Sequence, residues 1–580
     1  MFLKSIILIL KQQNNLHQKL IRTISTTTIK IPERRKDFAK LTKEDIFIFQ
    51  NLLGENNVKT NEIDDFNFDF MHWYKGNSSC VLLPENTQQI SSILSHCFKR
   101  RLAVVPQSGN TGLVGGSIPM HDEIILSMKK FTKNFELDST SGILECDSGF
   151  VLEDVDNRIA REGYMVPVDL GAKGSCLIGG VVATNAGGIR LIRYGSMHAN
   201  VTGLEVSPTL FSIILTNNKH VSILECDSGF VLEDVDNRIA REGYMVPVDL
   251  GAKGSCLIGG VVATNAGGIR LIRYGSMHAN VTGLEVVLPN EQGQILRLGS
   301  PLRKDNADLH LHKLFIGSEG QLGVITKVFM QVVPRPLSVH SALIGVNSFE
   351  KCQQILKIGK QMLNEIISSF EFIDGESMKM VKENAGLDCP LSVLSNFFLL
   401  IETSGSNEEH DSSKMDKFLT KILESGLAED GVLAKNASEA DQLWKIRESC
   451  PLAIRKDGYV FKHDFSLPLK YFYELPEAVR KQLNGKAKRI ISFGHIGDGN
   501  VHINVSIPEY DQKIYDLLYP FVYEWVYSKG GSISAEHGIG HVKRTFHHNL
   551  VNPKIREISS SIKKLFDPKG ILSPYKMIDF

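Results

Sequence analysis

CVLLPENTQQISSILSHCFKRRLAVVPQSGNTGLVGGSIP, residues 80–119, is the stretch that decides the architecture. It opens on a short apolar run. Ile90, Ile93, Leu94 and Cys97 then recur at helical spacing, and residues 102–105 read as a buried strand. A loop at 107–117 follows, with Gly109, Gly112, Gly115 and Gly116 set among Gln107, Ser108, Asn110 and Thr111. Strand, helix, strand and then glycine loop is the order in which backbone N–H groups can come close to a diphosphate and cradle it. The loop is not a Walker A loop, because no Lys-Ser/Thr follows, and it does not read G-x-G-x-x-G. Taken alone, it is equally a structural turn.

Two further glycine-rich stretches extend the pattern. DLGAKGSCLIGGVVATNAGGIRLIRYGS, residues 249–276, offers Asp249, Gly251, Ser255, Gly259, Gly260, Thr264, Asn265, Gly267 and Gly268; LFIGSEGQLGVIT, residues 314–326, offers Gly317, Glu319 and Gly320. These are the remaining candidate cofactor contacts.

The middle of the chain repeats itself. Residues 143–206 recur letter for letter as 223–286, an offset of 80. Solenoid repeats are shorter, number three or more and diverge. This pair therefore reads as a recent duplication or an error in the gene model. A cofactor site has room for one copy. After the first copy Pro208 interrupts the strand-like GLEV, whereas after the second it continues as GLEVVLPNEQGQILRL with PNEQG as a hairpin turn. The second copy is expected to fill the site.

Beyond the expected linker Pro334-Arg335-Pro336, apolar strands such as FFLLIET alternate with helical stretches such as SFEKCQQILKIGKQMLNEI, which predicts an α+β cap. Near its end, SFGHIGDGNVHINV (492–505) reads as a tight hairpin around Gly-Asp-Gly-Asn, with His495 and His502 facing each other across the strands. GGSISAEHGIGH, residues 530–541, adds Glu536 and His537. Two histidines and a carboxylate can hold a divalent metal and leave positions open, as a catalytic site requires. His537 would then sit beside the ion. A lone H-x6-H is equally a turn with half-exposed histidines.

Together, PQSGNTGLVGG, ATNAGG and IGSEGQLGVIT, in that order, resemble the FAD-binding domain of the vanillyl-alcohol oxidase type. GHIGDGNVHIN, SAEHGIG and DPKGILSPYK, with RYGSMH, FEFID, LIETSGSN and DGYVFKHDFSLP, resemble the FAD-linked 2-hydroxy-acid dehydrogenases of that superfamily. The resemblance runs from about Trp73 to Lys576. It implies an α+β protein: a two-subdomain FAD-binding domain at 76–334, preceded by a lead at 33–75, then an α+β substrate-binding cap and C-terminal segment at 337–580. It implies non-covalent FAD, in keeping with a loop that has no His or Cys to attach the ring. It further implies that Arg447 and Lys462 bind substrate carboxylates with Asn504 assisting. His537 would take the hydroxyl proton, the metal would be zinc, and an electron-transfer flavoprotein would accept the electrons. The ligand set alone equally allows manganese, cobalt or iron. Two cations favour a dicarboxylate 2-hydroxy acid, with D-lactate or glycolate as the alternative, since Pro451 stands where the family often has threonine. If the repeat is real, a flavin-free inactive product is the other alternative.

The rest of the composition bounds the answer. In 580 residues, 65 Lys plus Arg balance 65 Asp plus Glu, which leaves no global bias toward nucleic acid. Residues 1–32 carry Lys4, Lys11, Lys19, Arg22 and Lys30 with no acid before Glu33, the make-up of a mitochondrial transit peptide leading to the matrix. The apolar run at 6–10 is too short to cross a membrane, and no other span is expected. Nine cysteines, four of them in the duplicated block and none in a CxxC, read as reduced thiols.

Overall fold

The computed structural model describes residues 32–131 and 223–580, apart from short gaps at 70–71, 73, 241–243, 251–252, 254, 268–270, 301, 303–306, 308, 332 and 394. It also describes strand segments at 135–138, 143–146, 168–169 and 185–186. The predicted helix is Thr87–Arg100, capped by the Asn86 side chain on the Gln89 N–H, and it buries Ile90, Ile93, Leu94 and Cys97. It crosses over between Val81–Leu82 and Val104–Gln107, which both pair in parallel with Ile124–Ser127. Val58–Lys59 closes the far edge in antiparallel sense.

A second sheet has the order Ile223–Asp227, Val324–Gln331, Val281–Val287, Ile295–Gly299, with every pairing antiparallel. Both ends of the second copy of the repeat therefore flank one strand from outside it. Val281–Val287 runs through Val286 and turns back at 288–294, where Gly293 (φ +58°) leaves no room for a Cβ against the Ser91 carbonyl. The described strands of the first copy lie beside the second. Val168–Asp169 pairs in parallel with Asp249–Leu250, and Asn185–Ala186 with Ala266–Gly267, each one residue out of equivalence.

Pro334 and Arg335 do not form a loose linker. Val333–Pro334 pairs with Tyr244–Met245, and Arg335 is ion-paired to Asp236 at 3.3 Å. The cap beyond is one seven-stranded antiparallel sheet. Its order is Asp430–Leu433, Ser338–Val346, Phe397–Gly405, Ile367–Asp374, Arg489–His495, Asn500–Ile507, Tyr459–Ser466. Period-2 alternation gives it two different faces. Val501, Ile503 and Val505 enter a core with Phe461, Phe465 and the helices Glu474–Leu483 and Gln512–Ser528. Each fully buried aliphatic contributes roughly 1.5–3 kcal/mol, enough together to fix the register. The intervening His502 and Asn504 are thereby held on the opposite face.

The chain finally returns to where it began. The Ile571 carbonyl accepts from Val104 N–H and the Val104 carbonyl from Ser573 N–H, while buried Lys576 donates to the carbonyls of Gly115 and Ile118 at 2.9 and 2.6 Å. The seven described cysteines are free thiols. Among the described residues, no helix is long and apolar enough to cross a membrane.

Candidate active site

The hairpin forms, with its turn at 496–499 and Asn500 already in the returning strand. The two histidines are not directly opposite. His495 pairs with Asn500, and His502 with Phe493, so they are diagonal neighbours on one face, ring centroids 5.4 Å apart. That diagonal suits a shared ligand better than direct apposition, because it leaves room between the rings. The same register puts Asp464 opposite His502 and Lys462 opposite Asn504 on that face. Ile373 opposite Phe493 brings Glu371 to it as well.

Glu536 reaches in from the 530–541 loop, with Oε1 3.5 Å from His495 Nε2 and Oε2 3.9 Å from His502 Nε2. Burial, with Arg447 adding to it, holds His495 well below the ordinary histidine range, and burial likewise lowers His502. Both imidazoles are thus neutral with a lone pair to give. Burial also pushes Glu536 well above the carboxylic range, with Asp464 and Asp498 adding to the push. A half-buried acid among acids beside two neutral imidazoles is a donor set that one divalent cation satisfies. The residues present therefore fit such an ion.

A second cluster, Asp464, His502 and His537, also has its ligand atoms close together. Its carboxylate is already committed. Asp464 Oδ2 accepts from the backbone N–H of Ala535, Glu536 and His537 at 2.9–3.1 Å, and Oδ1 accepts from Asn500 Nδ2 at 2.9 Å. Burial opposes its charge, but His537, Lys543 and His502 nearby outweigh burial and hold Asp464 well below the usual range. Asp464 anchors the loop that carries Glu536 and His537. Burial takes His537 down to about 4 against the pull of Asp464. Its Nδ1 lies 3.9 Å from Asp464 Oδ2, beyond hydrogen-bond distance.

Arg447 comes from the helix Ala437–Ala453, lies over the Phe493 ring at 4.9 Å and is buried. Lys462 Nζ donates to the Pro451 carbonyl at 3.0 Å, and burial brings the ammonium down to about 7, with Arg455 adding to the effect. Asn504 Nδ2 is buried without a hydrogen-bond partner among the described residues.

The three glycine stretches converge beside this face. Gly317 N–H donates to the Val262 carbonyl, Glu319 N–H to that of Ala263, and a Cβ on Gly320 would lie 3.6 Å from Pro106. The glycines divide by role. Gly115 (φ +65°) is required by packing, since a Cβ there would lie 2.0 Å from the His541 ring. Gly259 is pressed against Ser228. Among the described residues, a Cβ at Gly112 would meet nothing within 4 Å, and Ser108 Oγ and Gln107 Oε1 are buried without a partner. Open backbone with orphaned acceptors and donors fits a polar cofactor such as FAD. Asn110, Asn265 and Glu319 all have left-handed backbone, with φ between 51° and 56°.

Other candidates are engaged within the protein. Asn110 Nδ2 donates to the Phe68 carbonyl, Asn265 Oδ1 accepts from His278 N–H, and Thr264 Oγ1 donates to the Gly260 carbonyl. Asp249 is ion-paired to Lys253, and Ser255 is buried. Both Glu319 oxygens accept from the loop, from Ile539 N–H at 2.7 Å and Gly540 N–H at 2.8 Å. Glu319 therefore joins the glycine half to the cap. Gly251 and Gly268 lie outside the described residues.

Glu371 and Asp464 were not singled out from the sequence. Ser369 and Glu371 alternate with Phe370 and Phe372 in the strand Ile367–Asp374, a pattern that could have drawn attention to Glu371.

Residues 335–577 match the FAD linked oxidases C-terminal domain, and 78–207 and 211–299 match the FAD binding domain. The chain belongs to the FAD-linked oxidases, with a two-part α+β architecture of the vanillyl-alcohol oxidase type. Within them it is an FAD-dependent hydroxy-acid dehydrogenase of the D-2-hydroxyglutarate dehydrogenase type. It is 40% identical to the mitochondrial D-2-hydroxyglutarate dehydrogenase of Arabidopsis thaliana (94% of this chain, 83% of that one) and 36% identical to that of Bos taurus (96% and 87%). It is 36% identical to a D-2-hydroxyglutarate–pyruvate transhydrogenase of Saccharomyces cerevisiae (94% and 96%). Solved p-cresol methylhydroxylase shares the fold at a TM-score of 0.62 and 14% identity (93% and 98%). The mitochondrial location expected from the sequence is the one that the plant and cattle relatives are named for.

Proposed function

We propose that this protein oxidises D-2-hydroxyglutarate to 2-oxoglutarate, using FAD in the 107–117 cradle and a divalent metal held by His495, His502 and Glu536. When bound, FAD supplies the hydride acceptor and the metal supplies the positive charge that lowers the hydroxyl pKa. The residues do the rest. Arg447 offers a planar fork and Lys462 a point charge for the two carboxylates. Asn504 supplies the amide Nδ2 that has no hydrogen-bond partner among the described residues. His537, neutral above about pH 4, takes the hydroxyl proton on its imidazole. Of the two copies of the repeat, the second supplies the flavin domain.

The observation that supports this reading most is the register. It sets His495, His502 and Lys462 on one sheet face, above which the 530–541 loop brings Glu536 and His537 and the helix Ala437–Ala453 brings Arg447. A second reading, D-lactate or glycolate oxidation, draws support from Pro451, whose carbonyl already occupies Lys462 Nζ. The test is anaerobic bleaching of the purified flavoprotein by D-2-hydroxyglutarate, its L isomer, D-lactate and glycolate. Bleaching by D-2-hydroxyglutarate far faster than by the others is expected, and equal or faster bleaching by D-lactate sinks the assignment. Reoxidation by electron-transfer flavoprotein, the proposed acceptor, against reoxidation by pyruvate identifies the electron sink. A colourless protein would leave only the inactive product.

A further inference from the structure

The buried acid Glu371 is not among the metal-ligand or substrate-binding residues, yet its two oxygens have different partners. Oε1 lies 2.8 Å from His495 Nδ1, and Oε2 accepts from Arg447 Nε at 2.8 Å. All three side chains are buried, and Glu371 is fully so. The strand around it has no freedom to trade partners. Phe370 and Phe372 are packed into the opposite core, and the pairing of Ile373 with Phe493 fixes where residue 371 stands. In its ionised form, which the Arg447 guanidinium favours, Glu371 facing Nδ1 selects the tautomer with the proton on Nδ1, which turns the Nε2 lone pair toward Glu536. The other oxygen holds the guanidinium through Nε and leaves its outer two nitrogens for a planar anion.

We propose that Glu371 is a positioning residue that ties the metal site to the substrate-carboxylate site, so that one side chain sets both metal affinity and carboxylate binding. The inference rests on the metal and substrate roles proposed above. A glutamine at 371 cannot serve both partners. If its carbonyl oxygen faces His495, its NH2 confronts the Arg447 donor; if the oxygen faces Arg447, the NH2 meets His495 Nδ1 only when the ring carries its proton on Nε2, the nitrogen that faces Glu536.

The test uses the purified flavin-loaded full chain. Zn²⁺ retention is titrated against a chelator, flavin per chain is measured by absorbance, and KM and kcat are measured separately. Glu371→Gln is expected to keep wild-type flavin content, lose about 10–100-fold in Zn²⁺ affinity and raise KM at least about tenfold. Arg447→Met should raise KM alone and keep Zn²⁺ affinity, because His495 retains its acceptor. Glu371→Gln with unchanged Zn²⁺ affinity, or with unchanged KM, overturns the proposal. If Glu371→Gln loses flavin, Glu371→Asp decides, since its shorter arm keeps the charge but cannot reach both partners. A drop in both readouts supports the tie, and wild-type values in either remove it. A wild-type protein that retains no Zn²⁺ would overturn the metal reading itself, an outcome distinct from a metal-binding wild type with an indifferent Glu371→Gln.

Discussion

The glycine loops and the polar face of the seven-stranded sheet are built on opposite plans. In the loop at 107–117 the candidate contacts are mostly backbone, open at Gly112, and tied from below by Lys576 to the carbonyls of Gly115 and Ile118. On the sheet face the candidates are side chains, placed by strand pairing and by the carboxylates of Glu371 and Asp464. A backbone site fails when a Cβ intrudes. A side-chain site fails when a donor is deleted. Substitutions should therefore separate flavin binding from chemistry.

The largest separation is expected from His495→Ala, His502→Ala or Glu536→Ala. Each should lower turnover by at least about 10³-fold, the several kcal/mol that a catalytic metal supplies. Flavin absorbance per chain should stay unchanged, and its loss would merge the two sites into one structural unit. Next is His537→Ala, with kcat down by roughly 10²–10⁴ and metal content intact. An unchanged rate removes it as the base.

Lys462→Met sharpens the substrate side. Losing a charge-assisted contact worth about 1.5–3 kcal/mol should cost D-2-hydroxyglutarate roughly 10–100-fold in kcat/KM and leave D-lactate within about threefold. Equal losses would end the dicarboxylate reading. The same residue sets a pH limb. Burial depresses its pKa to about 7, so the cation is present below that pH and lost above it. Wild-type kcat/KM should therefore fall as pH rises past about 7, and Lys462→Met should flatten that limb.

The smallest effects compare two glycines. Gly115→Val should destabilise the protein by about 1–3 kcal/mol, read as a lower Tm even without flavin, because the new Cβ strikes His541 at a left-handed position. Gly112→Ala should leave the flavin-free Tm unchanged and weaken FAD binding alone. The repeat has its own check in the intact mass of the natural protein. A mass lower by the 80-residue offset, beyond the removed leader, would show that one copy is absent.

Local pattern carried much of this. The Thr87–Arg100 helix, the hairpin and the Val281–Val287 strand with its turn are all consequences of short-range periodicity and turn chemistry. So was the association of His495, His502 and Glu536, because motif order carries family resemblance. The diagonal placement of the histidines was not legible. It depends on where the turn begins, and a shift of one residue changes which pairs are opposite. The anchoring of Pro334 was hidden for the same reason, since its partner strand lies ninety residues earlier in the chain.

The sequence by itself determined the class of protein, the two-part α+β build, the flavin loops and the residue types that can hold a metal and a hydroxy acid. The class, the build, the flavin loops and the hydroxy-acid residues follow from the order of motifs that resemble the family, and the metal-competent residue types from their spacing, all of which a linear chain records. Only the tertiary structure decided that Glu371 stands between His495 and Arg447, that Asp464 is spent on three backbone N–H groups, and that Glu319 joins the two halves. Each of these is a buried or half-buried carboxylate with partners scores or hundreds of residues away. Burial makes an unpartnered charge too costly to keep, but which donor meets it is settled by strand register and packing, which no local window contains.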